Sequence, residues 1–127
     1  MTSKSNLVIN PQRLWDSIME TAKFGGTQKG GIKRLTVSDE DKKVRDWFKA
    51  QCEALGCTVQ VDSVGNMFAT RPGRRKDLLP IALGSHLDTQ PTGGKFDGVK
   101  RNILIGVEIE NQTIGIIYFG HTRTPWM

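Results

Sequence analysis

The pattern of hydrophobic and polar positions predicts two amphipathic helices in the first half of the chain. The first follows Asn10 and Pro11, a helix N-cap and a first-turn proline, and its apolar residues recur at three- and four-residue spacing. The second follows Ser38, which precedes an acidic first turn and a further apolar face. The helices are expected to end near Gly25 and Gly56, because glycine tolerates the left-handed conformation that terminates many helices.

Residues 25–34 (GGTQKGGIKR), which join the two helices, contain four glycines and three basic residues. This composition predicts a flexible, solvated linker. An anion-binding loop that uses backbone amides is the alternative.

After Cys57 the spacing of apolar residues changes to two, which predicts strands. Residues 57–62 alternate as a half-buried strand, and residues 67–71 return after a turn. Residues 78–84 (LLPIALG) are apolar without alternation, a pattern typical of a strand buried on both faces of an α/β sheet.

Two further strands are predicted near the C-terminus. Residues 113–119 (TIGIIYF) are apolar and β-branched, which favours an edge strand that would aggregate or bind a partner if left unpaired. Glu108 and Glu110 alternate with apolar residues and fit the solvent face of a strand. The predicted fold class is therefore α/β, with two N-terminal helices and a partial mixed sheet of about four strands.

Composition narrows the class of protein further. The chain has 127 residues, of which 37% are hydrophobic and 24% charged, values typical of one soluble globular domain. No apolar run approaches the roughly 20 residues that span a bilayer, and the first residues lack the apolar core of a secretory signal. With two cysteines and no CxxC motif, a disulfide framework is not expected, and a reducing cytoplasm fits best.

The net charge of +5 is compatible with an anionic partner but does not identify one. Nucleic acid is not expected, because the basic residues fall in two separate turns with few aromatic residues between them. These basic residues are Lys33, Arg34, Arg71, Arg74, Arg75 and Lys76.

The candidate chemistry lies in residues 85–98 (SHLDTQPTGGKFDG), which follow the apolar strand 78–84. Ligands of open α/β sheets bind at this edge, beyond the carboxyl ends of the strands. His86 and Asp88 are two residues apart and can face one side, where a carboxylate would orient a metal-binding imidazole. The glycine-rich loop can fold back to bring Asp97 to the same point. From the residues alone, a metal site and an ordinary polar loop both remain open.

The resemblance to a known family rests on four segments in the same order along the chain. They are LWDSIMETAKFG, KGGIKRL, VDSVGNMFATRPGR and GSHLDTQPTGGKFDG. Over about residues 10–99 the chain resembles the N-terminal part of the dinuclear-metal amidohydrolases, which comprise N-carbamoyl-L-amino acid hydrolases, β-ureidopropionases and allantoate amidohydrolases, relatives of zinc aminopeptidases. The resemblance implies the first part of a zinc-aminopeptidase-like catalytic domain.

The resemblance also implies roles for three residues. His86 would ligate one metal, Asp97 would bridge two divalent ions, and Asp88 would orient His86. The ions would be Zn²⁺, with Mn²⁺ or Co²⁺ as alternatives. The implied reaction is hydrolysis of a non-peptide C–N bond in a small N-carbamoyl or ureido amino acid, by an enzyme that is a homodimer in this family.

After Val99 the sequence departs from the family pattern. Residues 1–99 are therefore interpreted as a portion of the catalytic domain and residues 100–127 as a divergent tail. The tail does not contain the Glu-Glu pair, the later His ligands or the dimerisation domain that the family pattern leads one to expect. His121 is not expected to ligate a metal. The chain is predicted to be a truncated, inactive form. The alternatives are a binding fragment that associates with a full-length subunit, and a peptidase or deacylase of the same superfamily.

Overall fold

The computed structural model describes residues 10–75, 77–91, 93–96 and 114–118. Its elements are α1 (Pro11–Thr21), α2 (Asp39–Ala54), β1 (Thr58–Val61), β2 (Met67–Arg71), β3 (Ile81–Ser85) and β4 (Ile114–Tyr118). Within the described part of the chain, no helix is both long and apolar enough to cross a bilayer.

Both helices begin where the sequence predicts. The Asn10 side chain accepts a hydrogen bond from the Arg13 amide at 3.0 Å, and the Ser38 hydroxyl accepts one from the Asp41 amide at 3.2 Å. These bonds satisfy backbone donors that the first turn of a helix leaves unpaired. Helix α1 ends at Thr21 rather than near Gly25, because the chain continues from there in tight turns.

Asp41 is a buried acid in the first turn of α2, with 3% of its surface exposed. Its Oδ2 atom accepts a hydrogen bond from the Val37 amide at 3.1 Å, whereas Oδ1 has no hydrogen-bond partner among the residues that the structure describes. Burial raises the pKa of Asp41 above its usual value, because a carboxylate loses hydration when it is buried.

We expect Asp41→Asn to remove a pH-dependent destabilisation. The folded chain holds the Asp41 proton more tightly than the unfolded chain, so this group makes the free energy of unfolding fall as pH rises above about 4, the ordinary carboxyl pKa. Asparagine keeps an acceptor for the Val37 amide but does not titrate. Urea unfolding of both proteins between about pH 3.5 and 7 should therefore show the variant gaining stability relative to the wild type as pH rises.

The control for this experiment is Asp39→Asn, which removes an exposed acid from the same helical turn. A difference between Asp41→Asn and the wild type that is constant with pH, or that shrinks as pH rises, would contradict the expectation.

The four strands form one mixed sheet in the order β1-β2-β4-β3. Strands β1, β2 and β4 are antiparallel neighbours, whereas β3 and β4 run parallel. The predicted fold class, two helices with a partial mixed sheet, is confirmed. The prediction of an edge strand at residues 113–119 is wrong, because β4 lies inside the sheet and pairs on both sides. The exposed edge that favoured a binding fragment is therefore not present there.

The hydrophobic core lies between α2, β2 and the segment that follows β3. Its buried members are Val44, Phe48, Cys52, Met67, Ala69 and Leu87. Leu87 stands between His86 and Asp88, so its burial anchors the segment that carries the candidate site. Burial also raises the pKa of the Cys52 thiol to about 12, which makes this cysteine a packing residue rather than a nucleophile.

Strand β3 differs from its prediction at both ends and in burial. It begins at Ile81, after Pro80, rather than at residue 78. Leu79 is 88% exposed, and within the strand Ala82 is exposed and Leu83 half-buried. The expectation of a strand buried on both faces is therefore wrong in this structure.

Residues 25–34 form a hydrogen-bonded hairpin with an exposed tip and a buried end. Isolated β-bridges join Gly26 to Ile32 and Ile32 to Gly93. Ile32 is 1% exposed and Arg34 is fully buried. The prediction of a solvated linker therefore holds for the exposed residues 26–30 but not for Ile32 and Arg34, which enter the protein interior beside the loop that follows β3.

Candidate functional site

The candidate site begins where strand β3 ends, with the imidazole of His86 and the carboxylate of Asp88 in contact. His86 Nδ1 lies 3.0 Å from Asp88 Oδ1 and 3.0 Å from the Asp88 carbonyl oxygen. An ionised carboxylate and a carbonyl only accept hydrogen bonds, so Nδ1 must carry the proton. In the neutral ring, Nε2 then carries the lone pair, which is the form that coordinates metals.

Asp88 is held from a second direction by Thr36. The Thr36 hydroxyl donates to Asp88 Oδ2 at 2.6 Å, while Oδ1 faces His86. The Asp88 side chain is only 12% exposed, whereas that of His86 is 45% exposed. The carboxylate is therefore fixed inside the protein and the imidazole stands at its surface.

Arg34 supports the backbone of the same segment from beneath. Its Nε atom donates to the Leu87 carbonyl at 2.7 Å, and Nη1 donates to the carbonyls of Thr21 and Phe24 at 2.9 and 2.7 Å. Thr21 and Phe24 lie at the C-terminal end of α1, where a positive charge is favourable. One buried guanidinium thus links the end of α1 to the residue between His86 and Asp88.

The backbone of Arg34 makes a second link to the site segment, through Thr89. The Thr89 amide donates to the Arg34 carbonyl at 2.7 Å, and the Arg34 amide donates to the Thr89 hydroxyl at 2.9 Å. These reciprocal bonds fix the register of residues 34–36 against residues 87–89.

The glycine-rich loop beyond Thr89 is attached at Gly93. The Ile32 amide donates to the Gly93 carbonyl at 3.0 Å, and the rings of Trp15 and Phe96 stand 5.7 Å apart. Asp97, the predicted bridging ligand, lies outside the described residues. Among residues 10–75, 77–91 and 93–96, no three His, Cys, Asp or Glu side chains form a group able to hold a metal ion.

The structure therefore brings His86 and Asp88 together, and their roles remain predictions. Sequence reasoning missed Arg34 and Thr36 as parts of the site. Arg34 was counted among exposed basic residues, yet it is fully buried, which removes it from any nucleic-acid surface. The signal in the sequence was the alternation of Arg34 and Thr36 shortly before Ser38, the N-cap of α2. This pattern is too short to interpret without knowledge of the tertiary contacts.

Comparison with known proteins shows which class of enzymes the chain is similar to. The chain is 52% identical over 103 residues to an N-carbamoyl-L-amino-acid amidohydrolase of Rhizobium meliloti, covering 81% of this chain and 24% of the relative. It is 34% identical over 95 residues to a ureidoglycolate hydrolase of Arabidopsis thaliana, covering 75% and 20%. A crystal structure of a hydantoinase/carbamoylase family amidase from Burkholderia ambifaria superposes with a TM-score of 0.77 at 40% identity, over 85% of this chain and 29% of that one. No protein-family model matches the chain.

The fold is thus that of part of a hydantoinase/carbamoylase family amidase. The homologues of this chain are N-carbamoyl-L-amino-acid amidohydrolases, ureidoglycolate hydrolases and hydantoinase/carbamoylase family amidases, and the chain spans about a quarter of the length of the first curated relatives it matches.

Proposed function

We propose that the chain forms part of the catalytic domain of a metal-dependent amidohydrolase that cleaves the C–N bond of N-carbamoyl or ureido amino acids. The observation that carries this proposal is the contact between His86 Nδ1 and Asp88, which keeps the other ring nitrogen in its ligating form. The similarity to amidohydrolases of carbamoyl and ureido compounds supports the substrate class.

The arrangement at His86 fits one ligand position of a zinc site. The ring is partly exposed, its Nδ1 atom is held by a carboxylate, and the hydroxyl of the half-buried Thr36 fixes that carboxylate in turn. Asp97 is proposed as the ligand shared by two divalent ions, Zn²⁺ or alternatively Mn²⁺ or Co²⁺. When bound, such ions would supply Lewis-acid activation of a water molecule and of the scissile carbonyl. The protein residues named here orient the ligand and limit access of bulk water to Asp88.

The 127-residue chain is not expected to complete this chemistry alone. Catalytic zinc sites normally use three protein ligands per ion, and the described residues offer no group of three. The division at Val99 into a catalytic portion and a divergent tail remains part of this proposal. The two cysteines are free, in agreement with the proposed cytoplasmic location.

We expect a chimeric enzyme to reveal the function of this segment. The matching residues of the Rhizobium meliloti amidohydrolase, 52% identical over 103 residues, would be replaced by those of the present chain. The chimera should release ammonia from N-carbamoyl-L-amino acids. His86→Ala in the chimera should lower turnover by at least about a hundredfold and weaken Zn²⁺ binding in calorimetry, since it removes a direct ligand.

Two controls accompany this experiment. Lys33→Ala changes an exposed residue of the hairpin and should leave turnover unchanged. The isolated chain, assayed with Zn²⁺, Mn²⁺ or Co²⁺, should show no turnover. A folded chimera that keeps full activity after His86→Ala would refute the proposed site, and metal-dependent turnover by the isolated chain would refute its expected inactivity.

A further inference from the structure

The Thr36 hydroxyl donates a hydrogen bond to Asp88, a contact to which the proposed function assigns no separate role. Thr36 lies between the Arg34 backbone, bonded to Thr89, and Ser38, the N-cap of α2. Its half-buried side chain points at a carboxylate in a different part of the chain, 52 residues further on.

We infer that Thr36 is a positioning residue that favours one tautomer of the neutral His86 ring by orienting Asp88. The inference deepens the proposed function and rests on it for the role of His86 as a metal ligand. By donating to Oδ2 at 2.6 Å, the Thr36 hydroxyl fixes the rotation of the carboxylate. Oδ1 then stays 3.0 Å from His86 Nδ1 and accepts a hydrogen bond from the Nδ1–H group.

Hydrogen bonds on both sides of Thr36 hold its backbone in place, so that its hydroxyl can orient the Asp88 carboxylate. The Thr89 amide and the Arg34 carbonyl are bonded at 2.7 Å, and the Ser38 hydroxyl donates to the Leu35 carbonyl at 2.6 Å. Thr36 is therefore anchored on both sides, and its hydroxyl approaches Asp88 from a fixed point. Without that hydroxyl, the Asp88 carboxylate can rotate about its terminal side-chain bond, because the torsion angle at this bond is only weakly restrained in aspartate.

The test compares the full chain with Thr36→Val, which removes the hydroxyl and keeps the branched shape. Long-range ¹H–¹⁵N NMR at about pH 8.5, well above the usual imidazole pKa of about 6.5, reports which ring nitrogen carries the proton. The chain has two histidines, so His121 provides an internal reference and His86→Gln assigns the signals. In the wild type, His86 should be protonated mainly at Nδ1.

In Thr36→Val, the His86 Nε2 resonance should shift part of the way towards the position of a protonated nitrogen, because the Asp88 carbonyl oxygen still accepts from Nδ1. The Zn²⁺ affinity of the chimera described above should fall by up to about tenfold when it carries the same substitution. Thr36→Ser restores the hydroxyl and should restore the wild-type signal. The matched control, Thr58→Val, alters an exposed strand residue and should leave both readouts unchanged. Unfolding midpoints of all variants separate this effect from a general loss of structure.

An unchanged His86 signal in folded Thr36→Val would overturn the inference. If Thr36→Val does not fold, the test is made by NMR on the wild-type chain. A slowly exchanging Thr36 hydroxyl proton supports the inference, and the absence of such a signal in the folded chain overturns it. If Thr36→Val changes the His86 signal but His86→Ala leaves Zn²⁺ binding by the chimera unchanged, the proposed function is refuted and the role of Thr36 stands. If His86→Ala weakens Zn²⁺ binding by the chimera but Thr36→Val leaves the His86 signal unchanged, the proposed function stands and the inference is overturned.

Discussion

Arg34→Met is expected to lower the free energy of unfolding by about 3 kcal/mol or more, the largest effect of any single substitution considered. The Arg34 side chain is fully buried and donates to the carbonyls of Leu87, Thr21 and Phe24. Methionine fills much of the same space but cannot donate. The Thr21 carbonyl keeps the Phe24 amide as a donor, so the loss falls mainly on the carbonyls of Leu87 and Phe24. Each acceptor left unsatisfied costs about 1 to 3 kcal/mol, and removal of the buried charge offsets only part of this sum.

The measurement is urea unfolding of the full chain, with Arg74→Met as the matched control. Arg74 is exposed, so the same substitution there should change stability by no more than about 0.5 kcal/mol. Arg34→Lys should give an intermediate loss, because one ammonium group cannot occupy both donor positions of the guanidinium. Equal stabilities of Arg34→Met and Arg74→Met would show that the buried guanidinium does not support the fold.

Gly25→Ala is expected to cost about 3 kcal/mol, the second largest effect. Gly25 has a φ of +83°, where side chains are strained, and a Cβ atom there would lie 2.6 Å from the Lys33 carbonyl oxygen. The Gly25 carbonyl also accepts from the Lys33 amide at 2.8 Å, so relief of the clash would separate the two strands of the hairpin beside Arg34. The cost combines about 1 kcal/mol of left-handed backbone strain with this displacement.

Gly30 provides the control in the same hairpin. Its φ is +80°, yet a Cβ atom there would meet no atom within 4 Å. Gly30→Ala should therefore show the backbone strain alone, and thermal unfolding should place it between the wild type and Gly25→Ala. If the two alanine variants are equally stable, the close approach at Gly25 is not a constraint on the fold.

The helices were predictable because their signals are local. Asn10 and Ser38 each precede an apolar face, and the structure confirms both as N-caps. The position of β4 was not predictable in this way. Its apolar, β-branched composition indicates a strand, but its place between β2 and β3 depends on pairings with residues more than 25 positions away along the chain.

The candidate site was predictable to a similar extent. The spacing of His86 and Asp88 and their position after an apolar strand indicated their contact, because both quantities are local. The residues that surround this pair could not be predicted from the sequence. Thr36 and Arg34 lie beside it because the Arg34 backbone pairs with Thr89, more than 50 residues further along the chain. A basic residue in a glycine-rich segment is usually solvated, and only burial distinguishes Arg34 from its neighbours.

The central place of β4 has a consequence for how the molecule assembles. Strand β3, which leads directly into His86, has β4 as its sheet neighbour. During synthesis, β1 and β2 can form their antiparallel hairpin early, whereas β3 must wait until residues 114–118 emerge from the ribosome. Pairings of such sequence separation form slowly because a long loop must close first. Strand β3 is therefore expected to join the sheet after the β1–β2 hairpin has formed.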